Sequence, residues 1–354
     1  MQNSINRDNV VRDPNNRYHR YEVIGSGTYK IVYRAFDQLE GFEVAWNEIR
    51  LDRFSEAETN QIYNEIKLLS TLNHDKILRL LDAWNDKKRN MLVFITEFFT
   101  SGTIRSYVND VVRTPTRFVI AKWCKQILEG LNYMHTREPP VIHRDLKCDN
   151  LFIDASEGIV KIGDFGLSKA VPTGEAVSCL GTPAYTAPEV YSGKYTTKAD
   201  IWSFGLCVLE MVTGETPYSE CSNMGVIYIK VSNGGLPVAL TKVDDSLIAD
   251  FITLCLLPAD IRPSAAQLLE HSLITEYDQL TESNAGNDDE HDLDSYVVDF
   301  NEPLDNPEYS ALLARHASEV EELKKEQKAA RARMRQKIRS RNKAAGLLLF
   351  DNQK

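Results

Sequence analysis

Apolar residues recur at two different spacings along this chain, and the change from one to the other falls near residue 100. Before it, short β-branched or aromatic runs at 21–24, 31–36 and 43–50 are broken by Gly25, Gly27 and Gly41, which predicts three strands. One exception interrupts them: over 56–71, Ile62, Ile66 and Leu69 repeat every three or four residues, the spacing of a helix. Past Gly102 the helical period dominates, predicting helices at 118–134, 199–213, 224–232, 245–256 and 265–270. A small strand-rich part followed by a larger helical part is an α+β arrangement, with a cleft expected between the two lobes.

The ends of the chain differ in character. Residues 1–17 are polar, with Asn and Pro, and are expected to be disordered. The patterned unit is placed at 18–277, with a first lobe to about 100 and a second over 101–277; residues 278–309 are acidic and poor in apolar residues and predict a linker. Residues 310–354 predict a charged helical tail, whose 310–345 stretch lacks Pro and Gly. Leu313, Val320, Leu323, Ala330 and Met334 make only a sparse seam there, short of a stable coiled coil. Between Lys324 and Lys343 ten basic residues face a single acid, Glu326. That stretch offers a surface to a partner or a second copy, or else is a solvated helix lying back on the acidic linker.

With 43% hydrophobic residues among 354, the chain has material for a sizeable core. A net charge of −10 speaks against a general nucleic-acid binder. No uninterrupted apolar run suggests a membrane span, and the polar start lacks the apolar core of a secretory signal. Six cysteines without CxxC pairing predict neither a zinc site nor a disulfide framework, so a reducing, cytoplasmic setting is expected.

The chemistry concentrates in a few strings. Gly25-Ser26-Gly27 follows the first predicted strand, and glycines there let backbone N–H groups approach phosphates closely. His143-Arg144-Asp145-Leu146-Lys147-Cys148-Asp149-Asn150 is followed fourteen residues later by Asp164-Phe165-Gly166, and then by Ala187-Pro188-Glu189. In order and spacing these resemble the catalytic loop, the metal-binding tripeptide and the end of the activation segment of protein kinases. The resemblance implies a bilobal protein kinase fold over roughly residues 20–277, ATP and Mg²⁺ as cofactors, and protein substrates. Asp145 would accept the proton of the substrate hydroxyl, Lys147 would sit against the transferring phosphoryl group, and Asn150 and Asp164 would supply oxygen ligands to Mg²⁺. Thr182, together with Lys147, is similar to the serine/threonine class and would position substrate, while Glu189 and Arg262 match a structural ion pair.

One expected residue is missing. Most kinases carry a strand lysine that contacts the α- and β-phosphates, but the third predicted strand reads Val44-Ala45-Trp46-Asn47. The glycine loop instead ends in Lys30, at the mouth of the second predicted strand, and a lysine is a flexible point charge that tolerates a different approach. Asn47 with Lys30 resembles the with-no-lysine (WNK) serine/threonine kinases, as do Thr100-Ser101-Gly102-Thr103 and Pro217-Tyr218-Ser219-Glu220-Cys221. Glu65 would then be the ion-pair partner of Lys30, or would pair elsewhere. The alternative is a pseudokinase scaffold that binds nucleotide without turnover.

The resemblance also implies an adenine site lined by Ile24, Val32 and Ala45, with Thr96 at its back and the backbone of Glu97 and Phe98 at the connection between lobes. It makes Ser178 the candidate activation-loop phosphosite, which Arg144 would pair with. It suggests substrates that include other kinases, in osmotic or ion-transport control. The chain departs from the family at Phe165, usually leucine, near which relatives bind an inhibitory chloride, and at Ala184, usually glutamate.

Overall fold

The computed structural model describes residues 11–27, 30–112, 114–164, 182–193 and 195–284. Ser178, Phe165, residues 1–10 and everything past 284, which includes most of the expected linker and the charged tail, lie outside the described residues.

Six antiparallel strands form the first lobe: β1 (Val11–Arg12), β2 (Tyr18–Ser26), β3 (Lys30–Asp37), β4 (Phe42–Arg50), β5 (Leu80–Asp86) and β6 (Met91–Glu97), in the order β1-β2-β3-β4-β6-β5. Register decides which side chains share a face, because directly paired residues point the same way and neighbours alternate. Tyr33 pairs with Trp46 and Trp46 with Ile95, so these face outward, where Tyr18, Ala35, Val44, Trp46, Val93 and Ile95 make a separate core. Trp84 closes that core edge-on to Trp46, at 5.1 Å between ring centroids. Lys30 pairs with Ile49, Val32 with Asn47, and Asn47 with Phe94, which puts Lys30, Val32, Ala45, Asn47 and Thr96 together on the opposite, inner face.

Helix α1 (Glu56–Leu69) covers part of that inner face. Ser55 and Glu58 form a reciprocal cap at its start, and Ile62, Ile66 and Leu69 are its buried stripe. The second lobe holds the single turn α2 (Ile104–Tyr107), then α3 (Arg117–His135), the hairpin β7 (Leu151–Asp154) and β8 (Ile159–Ile162), and α4 (Lys198–Thr213). Helices α5 (Met224–Ser232), α6 (Ser246–Cys255), α7 (Ala265–Leu269) and α8 (Ser272–Asn284) complete it. Helix α4 is buried without interruption from Ala199 to Met211, as an all-round apolar helix at the centre of a lobe must be. It stops at Gly214, whose φ of +67° is a left-handed value that suits glycine. Arg262, fully buried, forks onto Glu189 at 2.6 and 3.2 Å, the structural pair expected from the sequence.

The α+β lobes and the helices predicted between residues 56 and 270 are present, and two boundaries are corrected. The expected disorder over 1–17 does not hold for 11–17: β1 pairs with β2, and Asp13 accepts hydrogen bonds from the backbone of Tyr18 (2.6 Å) and Asn15 (2.8 Å). Polar composition there reflects hydrogen bonding to a sheet edge, which composition alone cannot distinguish from solvation. The expected linker starting at 278 begins inside α8, where Asp278 pairs with Lys125 of α3 at 2.5 Å. Strands β5 to β8 were not among the predicted runs.

Candidate active site

The two lobes meet at a cleft roofed by β2 and β3 and floored by the loop between α3 and β7. In the roof, Gly25 pairs with Val32, and a Cβ on Gly25 would meet Val32 only at an ordinary 3.8 Å. On Gly27 it would meet only the Lys30 carbonyl, at 3.7 Å. Neither glycine is demanded by crowding inside the protein, so what their bareness favours is close approach from outside. Ile24 is 44% exposed beside them. Deeper in, Ala45 and Thr96 are buried.

Asn47 is buried in the inner face and its amide nitrogen is bonded within the sheet. Nδ2 donates to the carbonyls of Ala45 (3.2 Å) and Phe94 (3.4 Å) and to Thr96 Oγ1 (3.4 Å). Lys30 also lies on this face, and its ammonium forms an ion pair with Asp164 across the cleft. Lys30 therefore reaches inward from the glycine loop, and its counter-charge is Asp164 rather than Glu65, the partner expected on α1. Burial alone would raise the Asp164 carboxyl; the charge and hydrogen bond of Lys30, with Lys147 and His143 behind it, hold it below the ordinary carboxylate value.

On the floor, Asp145 sits at the middle of a small network. The Thr182 amide and hydroxyl donate to Asp145 Oδ1 at 3.1 and 3.2 Å. Lys147 Nζ lies 3.4 Å from Asp145 Oδ2 and donates to Thr182 Oγ1 at 3.1 Å. A hydroxyl is thus accommodated between a carboxylate and an ammonium. Asn150 Nδ2 donates to the Asp145 carbonyl (2.7 Å), which leaves the amide oxygen available to a ligand.

Residues that sequence reasoning did not single out hold this floor in place. Asp200, at the start of α4 and 1% exposed, accepts from the backbone of His143 (2.8 Å) and Arg144 (2.9 Å) and lies 2.9 Å from His135 Nε2. His143 donates from Nε2 to the Gly163 carbonyl (2.9 Å) and accepts the Asp145 amide at Nδ1 (3.3 Å), tying Asp145 to the residue before Asp164. Arg144 and Asp164 both adopt positive φ, +71° and +53°. Such values disfavour L-residues and persist only where the surroundings enforce them, here the Asp200 bonds and the Lys30 pair. An acid in the first turn of a mostly apolar helix was the available signal for Asp200, though it names none of its partners.

Between the lobes, Glu97 turns its carboxylate away from the cleft to Lys161 of β8, at 2.8 and 3.0 Å, leaving its backbone and that of Phe98 as the connection. Among the described residues, no helix is long and apolar enough to cross a membrane, and no group of three or more His, Cys, Asp or Glu is suited to a metal.

The protein kinase domain family matches residues 18–274. The chain is 46% identical over 270 residues to a protein of Arabidopsis thaliana named "Probable serine/threonine-protein kinase WNK10", covering 75% of this chain and 51% of the relative. To "Serine/threonine-protein kinase WNK8" of the same plant it is 46% identical over 264 residues, covering 74% and 47%. The chain spans about half the length of these curated relatives. The matched span takes in both lobes and the whole cleft between them, and the chain belongs to the protein kinase domain family.

Proposed function

We propose that this chain is a serine/threonine protein kinase of the with-no-lysine type, which moves the γ-phosphoryl group of ATP to a protein hydroxyl. The observation that carries the reading is the Lys30 ammonium on Asp164 while Asn47 is locked into the sheet. On binding, ATP's phosphate oxygens take the Lys30 ammonium over from Asp164, so one cation serves the nucleotide from the loop side. Asp145 orients the substrate hydroxyl, whose oxygen attacks the γ-phosphorus in line as the bond to the bridging oxygen of ADP breaks. Its proton passes to the Asp145 carboxylate. Lys147 neutralises charge on the moving phosphoryl group, and Thr182 holds Asp145 and Lys147 in register with the acceptor.

The donor set suits Mg²⁺, which takes one or two protein oxygens and keeps water and phosphate oxygens for the rest of its shell. Asn150 and Asp164 would hold it, and when bound it would supply positive charge to the phosphates. We propose Ile24, Gly25, Gly27, Val32, Ala45, Thr96, Glu97 and Phe98 as the nucleotide-binding residues. Ser178 is the proposed activation phosphosite, a cytoplasmic setting the proposed location, and other kinases the proposed substrates.

The test incubates the chain with Mg²⁺, γ-labelled ATP and peptides carrying Ser, Thr or Tyr as the only acceptor. Label is expected on Ser and Thr peptides, reduced at least about 100-fold by Asp145→Asn. Nucleotide binding without transfer to any peptide would establish the scaffold reading instead.

A further inference from the structure

A second charged cluster lies beside the floor of the cleft, and the proposed reaction does not use it. Arg105, on α2, reaches toward four other segments. Its NH1 lies 2.6 Å from Glu210 Oε1 of α4, and its Nε lies 2.9 Å from Asp149 Oδ1 in the turn Cys148–Asn150. NH2 donates to the Tyr185 hydroxyl at 2.8 Å and NH1 to Thr216 Oγ1 at 3.2 Å. The Tyr185 hydroxyl in turn donates to Glu210 Oε2. Two of these partners lie in the segments that build the floor: Asp149 is four residues past Asp145, and Tyr185 ends the turn that follows Thr182, which donates to Asp145.

We propose that Arg105 is a specificity-determining residue: a built-in guanidinium that fills an acidic subsite, Asp149 with Glu210, next to the acceptor hydroxyl. The fixed fork of a guanidinium matches paired carboxylates; here NH1 and NH2 are hydrogen-bonded, while Nε neighbours Asp149 as a charge contact without a hydrogen bond. A substrate arginine or lysine arriving there meets a resident cation instead of an open pair of carboxylates. The side chain of Asp149 remains 45% exposed and that of Glu210 only 6%, so the subsite opens toward the surface and narrows to a buried acid. Without Arg105, that buried carboxylate lacks its cation, and a substrate cation becomes the group that neutralises it. The wild-type enzyme therefore ignores basic residues next to the acceptor, and loss of Arg105 turns it toward them.

This rests on the proposed kinase activity. The experiment uses serine-acceptor peptide mixtures, each with one residue fixed at one position, and the full chain with γ-labelled ATP. Wild type is expected to label Arg-fixed and Ala-fixed mixtures alike. Arg105→Met is expected to favour Arg over Ala by about fivefold or more at one position, and adding Glu210→Gln is expected to abolish the preference. Arg105→Gln replaces Arg105→Met if a thermal melt shows the latter unfolded. A wild type that already selects Arg there overturns the proposal, as does a folded variant that labels all mixtures less by one common factor. Failure of both variants to fold overturns it too, since Arg105 is then structural. A wild type that labels nothing refutes the kinase reading itself.

Discussion

Moving the lysine back to its usual strand is the most direct perturbation of the site. Lys30 and Asn47 lie on one face of the sheet, diagonally related through the pairs Lys30–Ile49 and Val32–Asn47. Diagonal neighbours are about 7 Å apart, and the flexible four-carbon stem of lysine lets an ammonium from either position converge on the same oxygens. Lys30→Met removes the cation that faces Asp164 and should lower kcat/KM for ATP about 100- to 1000-fold, or about 3–4 kcal/mol of transition-state stabilisation. Asn47→Ala removes an amide that serves only the sheet, so it should cost about 1–2 kcal/mol of stability and leave kcat/KM within about threefold. Asn47→Lys in the Lys30→Met background should recover at least about tenfold of the lost activity. Asn47→Lys alone puts two ammoniums about 6 Å apart, a repulsion of about 3 kcal/mol at an effective dielectric of 20, and should lower both activity and melting temperature. The assay is steady-state turnover of one peptide at varied ATP, with a melt on each variant. If Lys30→Met turns over like wild type while Asn47→Ala is dead, the assignment of the cation is wrong.

Two further outcomes test the supports of the site. Asp200 is held below its ordinary value, because the hydrogen bond and charge of His135, with His143 and the Arg144 amide, outweigh a burial that would raise it. Its native value thus lies below its unfolded one, so its stabilisation is complete above about pH 4 and fades as pH falls through the native value. Asp200→Asn should lower stability by about 3–5 kcal/mol at pH 7, and denaturant titrations should show that deficit shrinking below about pH 4; a deficit constant from pH 7 to 3 refutes the linkage. Asp13→Ala should lose about 1–2 kcal/mol, measured the same way, because the Tyr18 and Asn15 amides lose their acceptor; no change would mean that 11–17 contributes nothing to the folded lobe.

Much of this was legible in the residues, for identifiable reasons. Asp145, Lys147, Asn150 and Asp164 are close together in sequence because one short loop and one strand end bring them to the same floor of the cleft, so their spacing survives as a string. Lys30 was readable as a substitution within a string of fixed length. Asp200 and Arg105 were not, because their partners come from segments 56 and 105 residues away and no local spacing records such contacts. The sequence left Glu65 either to meet Lys30 or to pair elsewhere; the Lys30 ammonium meets Asp164 on the facing lip, and only geometry across the cleft decides that. The ends failed differently: residues 11–17 and the last turns of α8 are mostly polar because they lie at edges, and polarity looks the same at an edge as in a tail.

A positive charge fixed to the rim moves whenever the rim moves. In a kinase whose lysine sits mid-sheet, the glycine flap can lift without carrying off the cation that grips the nucleotide. On the proposed reading, lifting the flap of this chain would withdraw the charge of Lys30 and uncover the phosphates in the same motion. Nucleotide release and loss of transition-state charge stabilisation would then be one event, so a change in Gly25 or Gly27 that loosens the flap should weaken ATP binding and slow turnover together.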